Sequence, residues 1–105
     1  MKGDIVIIPF PFSDLSGSKR RPALVIADWG GSDVMLCQVT SKSKFDGQEI
    51  DLAKTDFVSG SLPIDSNIRP NKVFTADRRI ILSTAGRIRQ TKREEVIKRI
   101  VALLS

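Results

Sequence analysis

Apolar residues in this chain arrive in short, β-branched bursts, each cut off by proline, glycine or a polar turn. Asp4-Ile5-Val6-Ile7-Ile8 is the first burst, Pro22-Ala23-Leu24-Val25-Ile26 the second and Val34-Met35-Leu36-Cys37-Gln38-Val39 the third. Runs this short suit buried strands better than helices, and branched side chains pack well on a pleated surface. Asp28-Trp29-Gly30-Gly31-Ser32-Asp33 reads as the turn of a hairpin joining the second and third strands. Pro9-Phe10-Pro11-Phe12 extends the first strand toward an edge or a loop, because alternate prolines strip donors from one backbone edge. Pro22 suits the first position of its strand for the same reason.

Further along, Gln48-Glu49-Ile50-Asp51-Leu52 alternates as a half-exposed strand should. Leu62, Ile64 and Ile68 give a weaker alternation after Ser59-Gly60, and Lys72-Val73-Phe74-Thr75-Ala76 predicts a short strand. Ile80-Ile81-Leu82 is ambiguous in type, with Gly86 closing it. Helical periodicity appears only at the end. Val96, Ile97, Ile100, Val101 and Leu104 form one apolar stripe, and Thr91-Lys92-Arg93-Glu94 has the spacing of a capping box, predicting a helix over 92–104. Short strands, frequent turns and one terminal helix together predict a mostly β, small antiparallel barrel. At 105 residues, one domain over 1–105 is expected.

Composition narrows the chemistry. The chain has no His, no Tyr and one cysteine. Histidine acid–base catalysis, Ser-His-Asp hydrolysis and cysteine-based metal clusters are therefore excluded. Cys37 falls inside an apolar run and reads as a buried, inert thiol. Neither glycine-rich phosphate-loop pattern occurs. No run is long and apolar enough to span a membrane, and the early prolines argue against a signal peptide, so a cytoplasmic location is expected. Charge is uneven: residues 1–65 carry seven Lys/Arg and nine Asp/Glu, whereas residues 66–105 carry ten Lys/Arg and three Asp/Glu. Such asymmetry points to a polyanionic partner, either nucleic acid or an acidic protein tail.

One constellation stands out. Arg21 opens the second strand, after the basic stretch Lys19-Arg20, and the third strand ends in the hydroxyl pair Thr40-Ser41. If these strands are neighbours, a guanidinium and a hydroxyl meet at one end of the sheet. A planar fork of donors suits phosphate oxygens, so a phosphodiester fits this pairing. Lys19, Arg20, Lys42 and Lys44 can follow a phosphate backbone, or serve only as solvating loop charge. Phe45, set among cations, can stack a base, as can Trp29, whose other reading is packing over the barrel end. Ser41 can assist Thr40 or cap a turn, and Asp77 can orient Arg21 or cap a turn.

Gly3-Asp4-Ile5-Val6, Arg21-Pro22-Ala23-Leu24-Val25-Ile26 and Val39-Thr40-Ser41, followed in order by Phe74-Thr75-Ala76-Asp77, Gly86-Arg87-Ile88 and the amphipathic helix, resemble the MazF/PemK family of toxin endoribonucleases. The resemblance covers nearly the whole chain. It implies an SH3-like, CcdB/PemK-type barrel, a homodimer, and metal-independent cleavage of single-stranded RNA at short sequences, with no cofactor. It further implies catalysis by Arg21 and Thr40. The candidate RNA contacts read from the residues themselves are Lys19, Arg20, Ser41, Lys42, Lys44, Phe45, Asp77 and Arg78. A cognate antitoxin with an acidic tail is the implied protein partner. The family's usual acid after Gly17-Ser18 is replaced by Lys19, and its usual Asp-Gln after the late strand is Asp77-Arg78 here. Toxins that poison DNA gyrase share this barrel, which keeps a non-catalytic binding protein as the alternative. A peptide-binding adaptor is a third possibility, but it wants an aromatic groove that a chain without Tyr builds poorly.

Overall fold

The computed structural model describes residues 1–9, 19–41 and 47–105. Among these, the strands are β1 (Asp4–Pro9), β2 (Arg20–Ala27), β3 (Asp33–Thr40), β4 (Ile50–Leu52), β5 (Phe57–Gly60), β6 (Ser66–Asp77) and β7 (Ser83–Ile88), followed by α1 (Gln90–Leu104). They make one seven-stranded sheet in the order β4-β6-β3-β2-β1-β7-β5, antiparallel at every pairing. The protein is therefore mostly β, a curled half-barrel closed by a C-terminal helix, as the sequence pattern predicts.

The central strands are apolar on both faces because both faces are covered. On one side Ile5, Leu24, Cys37, Val39, Ile68 and Ile88 pack with Val96 of α1. On the other, Val6, Ile8, Ala23, Val25, Val34 and Leu36 lie under Phe74, Ala76, Ile80 and Ile81. Continuous apolar runs, rather than alternating ones, follow from this double burial. Cys37 is fully buried; its Sγ donates to the Arg69 carbonyl at 2.9 Å, and burial pushes the thiol up to about 12, as expected of an inert cysteine.

Several elements differ from the sequence pattern. The short strand expected at 72–76 is the second half of β6, which runs through Pro70. Its register against β3 passes from Cys37↔Val73 to Gln38↔Arg69, so Pro70, Asn71 and Lys72 bulge out of the ladder. A bulge is where a strand tolerates proline, which has no donor to offer. Pro22 is the third residue of β2 rather than its first. Gly86 lies inside β7 instead of closing a segment. A Cβ there would stand 2.6 Å from the Ser59 carbonyl oxygen, and one on Gly60 would stand 2.2 Å from that of Ala85. The Gly60↔Gly86 pair thus lets β5 and β7 approach backbone to backbone. Gly60 also holds a φ of +66°, the left-handed region that glycine enters freely.

The helix starts earlier than its capping signal. Arg89 is the N-cap, without a side-chain cap, and Thr91 is already helical. Gln90 Nε2 donates to Glu94 Oε1 at 3.0 Å in place of the expected box. The reason is tertiary: Arg89 N donates to the Asp56 carbonyl and Arg89 Nε to the Thr55 carbonyl, which pins the helix start directly after β7. Only the first half of the apolar stripe is covered. Val96 is buried and Ile97 and Ile100 pack on the core, whereas Val101 and Leu104 are 56% and 82% exposed.

Candidate functional site

β2 and β3 pair antiparallel with Val25↔Leu36, Leu24↔Cys37 and Ala23↔Gln38 in register. The same register carried to the strand ends sets Arg21 directly opposite Thr40. Residues facing each other across antiparallel strands have Cβ atoms about 4.5–5.5 Å apart and point to one face of the sheet. Local sequence produces this juxtaposition: the β2–β3 hairpin turns over Asp28–Ser32, a bulge between Val25 and Ala27 shifts its register by one, and the paired ladder then runs to Ala23↔Gln38, two residues short of Arg21 and Thr40.

Arg21 and Thr40 line one cavity of about 320 Å³, together with Arg20, Ser41 and Ser66. Its apolar lining is Ile7, Pro22 and Val39 from the strands and Leu62, Pro63 and Ile64 from the segment after β5. Thr40 is buried, at 8% exposure. Asn67 pairs opposite Thr40 and Arg69 opposite Gln38, and both are buried on the same face. Arginines, hydroxyl-bearing residues and apolar residues thus border one cavity at the end of the sheet, a lining that suits an anionic ligand with an apolar part.

The sequence-derived candidates divide. Arg20, Arg21, Thr40 and Ser41 are brought together at the cavity. Lys19 is exposed immediately before β2. Lys42, Lys44 and Phe45 lie outside the described residues. Asp77 and Arg78 lie at the other end of the sheet, since Asp77 pairs with Asp33 at the start of β3, while Thr40 is its last residue. An eight-residue strand places these ends roughly 23 Å apart at about 3.3 Å per residue. Asp77 does not orient Arg21. It caps the turn after β6, accepting from Arg79 N at 2.8 Å and pairing with the Arg79 guanidinium at 2.9 Å. Arg78 clamps Asp28 with bonds of 2.7 and 3.3 Å and donates to the Gly31 carbonyl. The Arg78 hydrogen bond holds the Asp28 carboxyl at about 2, and that of Arg79 does the same for Asp77. Trp29, 58% exposed, stands at this distant end too, with its indole beside Gly31.

What the sequence pattern missed is the wall built by Leu62, Pro63 and Ile64, and the buried polar pair Asn67 and Arg69. The local signal for the wall was the Gly60-Ser61-Leu62-Pro63 stretch, legible as a turn but not as a neighbour of Arg21. A second cavity of about 340 Å³ lies between β4 and α1. There Lys92 is held by Glu95 at 3.2 Å and by the Asp51 carbonyl at 3.1 Å, and Arg99 by the Gln48 carbonyl at 3.2 Å. Those cations bind the helix to β4, so the Arg21 cavity is the better candidate. Among the described residues, no cluster of three or more Cys, Asp or Glu side chains is placed to hold a metal ion, and no helix is long and apolar enough to cross a membrane.

Sheet, helix and cavity define a small half-barrel protein with a cationic, hydroxyl-bearing binding end. Residues 1–104 match the family model of PemK-like, MazF-like toxins of type II toxin–antitoxin systems. The chain belongs to that family, in agreement with the resemblance read from its sequence. Among solved structures it is similar to a MazE–MazF complex from Deinococcus radiodurans, at 22% identity over 97% of this chain and 92% of that one, with a TM-score of 0.77. It is also similar to a mycobacterial endoribonuclease solved with its cognate antitoxin, at 13% identity, 99% and 93% coverage and a TM-score of 0.75. A third is the Mycobacterium tuberculosis toxin MazF-mt6, at 16% identity, 96% and 95% coverage and a TM-score of 0.74. At these identities the likeness is one of fold. No curated protein sequence matches significantly.

Proposed function

We propose that this toxin is a metal-independent endoribonuclease that cuts single-stranded RNA at a short sequence. The observation that carries the reading is Arg21 opposite Thr40 in one cavity. In the proposed reaction the ribose 2′-hydroxyl attacks the adjacent phosphorus. The new 2′-O–P bond forms as the P–O5′ bond breaks, and the proton lost by the 2′-oxygen is balanced by one gained at the departing 5′-oxygen. The products are a cyclic phosphate and a free 5′-hydroxyl. Because the nucleophile belongs to the substrate, the protein needs only to align the phosphate and stabilise its charge.

Arg21 is the two-donor clamp on the phosphorane oxygens, and Thr40 adds a further hydrogen bond. Arginine stays protonated at any working pH, so protons pass through substrate groups or water rather than through its guanidinium. Lys19 and Arg20 extend the positive surface along the strand. An acidic antitoxin tail competing for these cations accounts for regulation in the cytoplasm, and a homodimer is the assembly we expect.

The test is incubation of purified protein with mixed-sequence single-stranded RNA in EDTA, with the cut ends mapped. Arg21→Ala and Thr40→Val are each expected to lower the cleavage rate by about a hundred- to a thousandfold with unchanged melting. Cutting by wild type at a recurring sequence, lost in both variants, supports the assignment. Equal cutting by Arg21→Ala would reject it, and no cutting by the folded wild type would favour the non-catalytic alternative.

A further inference from the structure

Ile64 is 61% exposed, yet it lines the same cavity as Arg21 and Thr40. Its exposure is not that of a loose loop residue. Leu62, only 7% exposed, anchors the segment in the main core. Pro63 fixes the backbone torsion just before it. The Ser66 hydroxyl, on a residue 7% exposed, donates to the Ile64 carbonyl at 2.9 Å. The backbone that carries this branched aliphatic side chain is thus anchored on both sides at the rim of the cavity.

We infer that Ile64 is a platform for the nucleobase flanking the scissile phosphate and helps to determine which bases are accepted there. This rests on the nuclease reading and deepens it. Charge complementarity identifies the occupant: Arg20 and Arg21 bring an anion to the cavity, and a nucleotide is an anion whose attached group has flat, apolar faces. At about 320 Å³ the cavity is at the small end of ligand pockets, which run from about 300 to 1,000 Å³, so it suits one base rather than a stretch of strand. An aliphatic wall offers no donor or acceptor to a base edge. It selects by ring size and shape, and such walls separate close analogues only by about 10- to 200-fold. The preference at this one position is therefore graded.

Ile64→Ala and Ile64→Asp test the inference in two assays run side by side. One sequences the cut sites in mixed RNA and measures KM and kcat; the other measures affinity for a mixed-sequence 2′-O-methyl RNA, which lacks the attacking hydroxyl. Ile64→Ala is expected to raise KM about tenfold with little change in kcat and to flatten the base profile beside the cut. Ile64→Asp is expected to weaken 2′-O-methyl RNA binding further, by charge repulsion. Wild-type binding without cutting would sink the nuclease reading and the platform as stated, and its weakening by Ile64→Asp would leave Ile64 as an RNA contact only. Unchanged KM, profile and affinity in both variants would overturn the platform and leave the nuclease intact. Conversion of a dimer to a monomer by Ile64→Asp would also overturn it, because Ile64 would then face a second copy of the chain. Absence of both binding and cutting in wild type would remove both proposals.

Discussion

The two ends of the sheet use arginine in opposite ways. At the end holding the β2–β3 hairpin, the cations are committed: Arg78 to Asp28, Arg79 to Asp77, and Arg87 to Asp4 along the neighbouring β1–β7 edge. At the other end Lys19 precedes β2, which begins Arg20-Arg21, and among the described residues no acidic side chain pairs with Lys19 or Arg20. The charges of the first end close turns and neutralise one another; at the second, Arg20 and Arg21 border a cavity that hydroxyl-bearing and apolar residues also line. Residue type alone does not separate an architectural arginine from a chemical one.

The harshest way to break this contrast is to remove the site end from behind. Gly60→Ala would put a Cβ 2.2 Å from the Ala85 carbonyl oxygen at a φ of +66°. It should cost at least about 2 kcal/mol in chemical denaturation and displace the Leu62–Ile64 wall, abolishing cleavage. An unchanged midpoint would mean that β5 and β7 can part freely.

A milder change reverses the outcome at the other end. Arg78→Ala should lower the melting temperature at neutral pH while leaving RNA cleavage intact, the mirror image of Arg21→Ala. The paired Asp28 carboxyl lies near 2 rather than 3.8, so its stabilisation is fully present above about pH 4 and fades as pH falls toward 2. In Arg78→Ala, melting temperature should therefore fall less steeply across that window than in wild type. Parallel curves would show that the clamp contributes nothing to the folded state.

The gentlest probe is Lys19→Ala. It should leave melting unchanged but reduce the salt slope of single-stranded RNA affinity by about 0.7, the value of one phosphate contact. An unaltered slope would make Lys19 a solvated charge and narrow the chemical end to Arg20 and Arg21.

Much of the fold was legible because its determinants are local. The first three strands are β-branched runs between turn residues, and the hairpin at Asp28–Asp33 is marked by its glycines. β5 was not legible, since Phe57-Val58-Ser59-Gly60 buries only Phe57 and has no alternation to read. β6 was hidden by Pro70, which breaks a strand signal unless a bulge absorbs it. Thr91 was overruled as a cap by Arg89, whose partners lie more than thirty residues earlier. The same limit applied at the site. Arg21 and Thr40 could be paired from sequence because a single hairpin joins their strands. Whether Asp77 orients Arg21 or caps a turn stayed open in the sequence, because its place depends on a non-local register.

By itself, then, the sequence determined a small β fold with a terminal helix, a chemistry without histidine, and one arginine–threonine pair at matching strand ends. These follow from composition and from periodicities that a few residues express. Long-range packing set the carboxylate partners of Arg78 and Arg87, the glycines at which backbones touch, and the place of Leu62, Pro63 and Ile64 beside the Arg21 cavity. Those outcomes depend on pairing between distant segments, and no short stretch of sequence carries a distant partner's register.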